Sequence, residues 1–139
     1  MKTYLNAALL SVCVGWGAQA GAAGFLFDCT ITKKGQGVQW LSDTLAFVVP
    51  GDGTIQVIDA VTLFFGISPV KVKVARNSDT KLVMHWKLKG VEDANGLKVP
   101  VFDYTARINK TTMAITLEAR PRDFQKSWIG RGTCTKLTK

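Results

Sequence analysis

The feature that most constrains this chain is strict two-residue alternation of apolar and polar side chains. In KLVMHWKLK, residues 81–89, Leu82, Met84, Trp86 and Leu88 fall on one side of an extended chain. Lys81, Val83, His85, Lys87 and Lys89 fall on the other. A helix would scatter both sets around its axis, whereas a strand buries one set and solvates the other. The pattern recurs. Residues 69–76 set Val70, Val72 and Val74 against Lys71 and Lys73, and residues 113–120 set Met113, Ile115, Leu117 and Ala119 against Thr116, Glu118 and Arg120. Residues 54–59 align Ile55, Val57 and Asp59, and residues 101–109 align Phe102, Tyr104, Ala106 and Ile108. Pro100, just before that last run, predicts an edge or a bulge there.

Further strands are expected at 24–32, 43–49 and 128–137, because these runs are β-branched and apolar. PGDG at 50–53, NSD at 77–79, EDANG at 92–96 and NKTT at 109–112 supply the turns. AVTLFFG, residues 60–66, fits a strand or a short helix plugging one end of the sheet. PRDFQKS, residues 121–127, reads as a loop with Phe124 tucked inward. No strand–helix–strand rhythm appears, so neighbours should be antiparallel. The expectation is an all-β fold: an antiparallel meander of seven or eight strands closed, or nearly closed, into a small barrel, with a β-sandwich as the alternative.

The first twenty residues read differently. Lys2 gives a positive start, residues 7–16 an apolar run, and Ala18-Gln19-Ala20 a small-x-small cleavage signal. This is the layout of a secretory signal peptide over 1–20, leaving 21–139 as one β domain. The apolar run is too short to span a bilayer. Val12 ahead of Cys13 is not the small residue that lipidation needs, so Cys13 is expected to leave with the signal. Two cysteines then remain, Cys29 and Cys134. An exported protein matures in an oxidising compartment, and an even pair there reads as a disulfide tying the last strand to the first. In the chain-entropy description, closing so long a loop stabilises the fold by about 4 kcal/mol. Periplasmic or secreted location follows, without a choice between them.

The chemical inventory is short. His85 is the sole histidine, and by parity it points outward. No multi-histidine metal set, nucleophile motif or phosphate loop is present, so neither a metal nor a cofactor is expected. The ten carboxylates are dispersed; Asp28, Asp59 and Asp103 are the ones inside or at the ends of strands. The reading is non-enzymatic, with a carboxylate-based hydrolase ranked last.

What stands out is charge. The formal net charge is +8, lowered by one with loss of Lys2. If neighbouring strands pair, Lys71, Lys73, Lys81, Lys87 and Lys89 form a basic panel suited to an anionic envelope component or an acidic protein. The panel has no interleaved aromatics, which argues against nucleic acid. Trp86 and Tyr104 share the inward face, where they would fill a core or line a small apolar cavity. The main expectation is therefore an exported binding or interaction protein presenting its basic face or a loop end to a partner. The second is an apolar-ligand carrier with a cavity near Trp86 and Tyr104.

The run from FDCTIT, with its early Cys29, to the closing Gly132-Thr133-Cys134 resembles small exported disulfide-bearing β-proteins of alphaproteobacteria. That resemblance implies an envelope or secreted location and no activity. The architecture is also similar to lipocalin-like barrels. Their G-x-W mark is represented here by Gly37-Val38-Gln39-Trp40, one residue longer.

Overall fold

A computed structural model describes residues 24–36 and 38–138. The expected signal peptide and Cys13 lie outside the described residues, as does Gly37. Nine strands and one short helix follow in order: β1 (Phe25–Lys33), β2 (Thr44–Val49), β3 (Gln56–Asp59), α1 (Ala60–Phe64), β4 (Val70–Lys71), β5 (Lys73–Asn77), β6 (Lys81–Leu88), β7 (Phe102–Asn109), β8 (Ala114–Pro121) and β9 (Trp128–Thr138). They form one antiparallel meander, in the order β4-β3-β2-β1-β9-β8-β7-β6-β5, rolled into a nearly closed barrel.

The strand count exceeds the expected seven or eight because the run at 69–76 is split. Val72 donates its N–H to the Ile55 carbonyl at 2.9 Å, which ends the pairing with β3. The next residue, Lys73, already faces His85 on β6. One extended segment thus changes neighbours midway and closes the circle imperfectly. A bulge between Val74 and Arg76 follows, and Val74 is 36% exposed although it shares the inner face of Met84. The alternation held better elsewhere. Leu82, Met84, Trp86 and Leu88 are all buried, as are Phe102, Tyr104, Ala106 and Ile108 on β7 and Ile115, Leu117 and Ala119 on β8. These side chains fill the interior, as is usual for so few strands. Pro100 marks neither an edge nor a bulge: it precedes β7, which is paired on both sides.

Among the described residues the only pairing between strands distant in sequence is β1 with β9, from Phe25↔Thr138 to Lys33↔Arg131. Cys29 and Cys134 are direct partners in that register and are disulfide-bonded, 105 residues apart in sequence. The strands approach closely there. A Cβ on Gly132 would lie 1.8 Å from the Thr30 carbonyl oxygen, and one on Gly130 would lie 2.7 Å from the Ile31 side chain. Any other residue at 132 would push the backbones apart. The glycine beside the closing cysteine is therefore required by contact, opposite the bulge between Ile31 and Lys33.

The barrel has two unlike poles. At one, hairpins at 50–55, 78–80 and 110–113 join strands tightly. At the other lie the longer connections 34–43, 60–69 with α1, 89–101 and 122–127. An aromatic row covers this loop pole: Phe65 to Trp40 at 6.2 Å, Trp40 to Phe102 at 4.4 Å, and Phe102 to Trp128 at 5.9 Å between ring centroids. The ambiguous 60–66 run is a helix because Asp59 caps it. The Asp59 carboxylate accepts from the Thr62 N–H at 2.7 Å, while the Asp59 N–H donates to the Thr62 hydroxyl. That capping bond accounts for a buried carboxylate at the end of β3.

Candidate functional site

Where the split strand leaves β6, the wall of the barrel opens into a cleft of about 630 Å³. Lys71, Lys73, Lys87 and Lys89 all line it, with His85 and Asp103. The sequence places these lysines on two separate strands. They converge because the split strand runs antiparallel to β6 with Lys73 opposite His85, which brings Lys71 toward Lys87 and Lys89. Lys81 does not join them; it lies at the hairpin pole beside Thr80, Arg107 and Asn109.

Neutralisation within the cleft is slight. Asp103 is its lone carboxylate among the described residues. It sits 3.9 Å from the Lys87 ammonium and 3.4 Å from the Arg122 guanidinium. Among the described residues no carboxylate comes within ion-pair distance of Lys71, Lys73 or Lys89. His85 hydrogen-bonds the Thr105 hydroxyl through Nδ1 at 3.0 Å, which fixes its ring on the outer face of the sheet. Ammonium groups gathered in this way, with one shared counter-charge, are suited to hold an anion.

Trp86 and Tyr104 form the floor of the same cleft, yet each is buried. Their rings stack at 5.3 Å with planes 6° apart, and Phe47 meets Trp86 edge-on at 5.8 Å. Most of their surface is thus spent on core packing. The Tyr104 hydroxyl donates to the Trp40 carbonyl at 2.8 Å, holding the 34–43 connection over the loop pole. Burial first, and the nearby Asp59 charge second, push the Tyr104 phenol well above its ordinary value.

The carboxylates singled out in the sequence are apart and engaged differently. Asp59 caps α1, Asp103 is held between two cations, and Asp28 is exposed on the outside of β1. Among the described residues no group of three or more His, Cys, Asp or Glu side chains could hold a metal ion.

A second concavity, about 530 Å³, lies at the loop pole between the 34–43 connection and α1. Val38, Trp40, Leu41, Val61, Phe64 and Phe65 make it mostly apolar. Lys34 at its rim is occupied, bonding the Leu41 carbonyl at 2.8 Å and the Asp43 carboxylate at 2.6 Å. Sequence reasoning missed this pocket. The signal available was Trp40 followed by apolar Leu41 in an otherwise polar connection, together with the aromatic pair Phe64-Phe65.

Phe124, expected to tuck inward, instead points out and is 58% exposed. The short 122–127 connection is held at its base by the Arg122 N–H on the Val101 carbonyl, and the interior beneath it is already filled by Phe102 and Trp128. Compared with known protein families, characterised proteins and solved structures, the chain gives no match.

Proposed function

We propose that this is an exported, non-enzymatic binding protein that holds an anionic partner in the cleft beside the split strand. The observation carrying the reading is the convergence of Lys71, Lys73, Lys87 and Lys89 around a single carboxylate. Export is supported by the leader-like residues 1–20 and by a disulfide, which persists in oxidising compartments. Among the described residues no helix is long and apolar enough to cross a membrane. The resemblance to alphaproteobacterial exported proteins supports a bacterial envelope or its surroundings as the setting.

Heparin, a soluble polyanion, is the first probe. Calorimetry should detect binding that weakens steeply as salt rises, because contacts on an exposed site are screened within about a Debye length. Replacing Lys71 and Lys89 by Glu should abolish it. Binding that ignores both salt and these substitutions would sink the proposal.

The apolar pocket at the loop pole favours a second reading, a carrier of a small apolar ligand. Its ligand would sit against Trp40 rather than between Trp86 and Tyr104. Adding a fatty acid should then change tryptophan emission in a salt-independent way, and Trp40→Phe should remove the response. An unaltered emission spectrum would rule against it.

A further inference from the structure

Large apolar side chains are exposed at one pole of the barrel from three separate connections. Leu63 is 61% exposed and Phe64 74% on α1, Leu97 is 65% exposed in 89–101, and Phe124 is 58% exposed in 122–127. The hairpin pole carries no comparable set within its connections among the described residues. The tips stand on different segments, two of which carry cations close by: Lys98 follows Leu97, and Arg122 and Lys126 lie two residues either side of Phe124. The base of α1 abuts residues 90–94, which places its tips next to that connection.

Charge at this pole is unevenly matched. Asp43 is engaged by Lys34, and Asp103 by Lys87 and Arg122. Asp93 accepts from the N–H groups of Asn95 and Leu97. Glu92 and Asp123 remain, set against Lys71, Lys73, Lys89, Lys98 and Lys126, which have no carboxylate within ion-pair distance among the described residues. Lys71 lies in the two-residue β4, just past the 60–69 connection, and Lys89 follows the end of β6, so the basic cleft lies toward the same pole.

We infer that the loop pole docks on the surface of an anionic lipid bilayer. Leu63, Phe64, Leu97 and Phe124 enter the boundary between headgroups and acyl chains, and the lysine cleft takes headgroup phosphates. Apolar tips on a pole with a surplus of unpaired lysines match the two layers of that interface, and two signals together give the firm attachment that one alone does not. The inference rests on the anion-binding reading of the cleft and names its partner.

Cosedimentation of the purified chain with phosphatidylcholine vesicles, with and without phosphatidylglycerol, tests it. Binding should require phosphatidylglycerol. Phe64→Ser with Leu97→Ser should weaken it by at least about tenfold, from the apolar burial lost, while heparin binding stays unchanged. Both side chains are exposed, so the variant should keep the parent melting temperature. Lysine-dependent heparin binding without vesicle binding, even at low salt, would overturn the membrane assignment and leave the cleft reading standing. Loss of both would overturn both. A dimer in light scattering that Phe64→Ser with Leu97→Ser converts to a monomer would assign the tips to a second copy instead.

Discussion

The barrel wall is joined in two special places, and they are built in opposite ways. The β1–β9 seam pairs from Phe25↔Thr138 to Lys33↔Arg131 with a single bulge between Ile31 and Lys33, is brought close by glycine, and is crossed by a disulfide. The seam at β4 and β5, on the far side in sheet order, is one extended segment shared between two neighbours, joined to the β3 side by Gln56↔Lys71, Val57↔Val70 and the Val72 N–H on the Ile55 carbonyl. The first excludes any guest. The second leaves unpaired edge, and its exposed lysines both discourage strand addition and gather positive charge. The firm seam is locked covalently and the loose seam borders the proposed anion cleft, which separates the two for experiment.

The largest expected effect is at the firm seam. Gly132→Val should prevent stable folding, because its Cβ would overlap the Thr30 carbonyl and the backbones would have to separate. Circular dichroism and a thermal melt would show it; a cooperative melt near the parent temperature would mean the seam yields freely. Next comes Cys29→Ser with Cys134→Ser, which should cost about 4 kcal/mol in denaturant unfolding. An unchanged midpoint would mean that strand pairing alone locks this seam.

At Tyr104, between the two seams, the expected effect is intermediate. Tyr104→Phe removes the bond to the Trp40 carbonyl and should cost about 1 kcal/mol. The buried phenol is held neutral, so its contribution to stability is complete below the ordinary phenol value of 10.0 and is lost as pH rises beyond it. The parent should therefore destabilise more steeply above that pH than Tyr104→Phe does. Parallel profiles would show that the phenol is not linked to folding. The smallest stability change is expected at the loose seam: Lys71→Glu with Lys89→Glu should stay within about 0.5 kcal/mol of the parent. Destabilisation as large as that from losing the disulfide would erase the contrast between the seams.

How far the sequence discloses this architecture follows from which interactions are local. The faces of β6, β7 and β8 are legible because each residue's parity is fixed by its own neighbours along the chain. The pairing of Cys29 with Cys134 follows from compartment and count. The grouping of Lys71, Lys73, Lys87 and Lys89 is legible from strand pairing, whereas the split at Val72 and the separate place of Lys81 at the hairpin pole depend on register, which alternation alone does not fix. Phe124 was misassigned for a related reason: whether a loop aromatic turns inward depends on the room left by Phe102 and Trp128, which come from other elements. Asp59 sits inside on an alternating strand, and its use as a helix cap becomes clear only when 60–64 is known to be helical.

The meander has a temporal consequence. Every strand pairing except β1–β9 joins elements that follow one another in the chain, so each can form as a local hairpin with little loop to close. The two thiols, 105 residues apart, come together only when those hairpins have already coiled around. Oxidation is therefore expected to come late, registering completed assembly instead of directing it. In pulse alkylation during refolding, hairpin structure should appear while both cysteines are still open to the reagent.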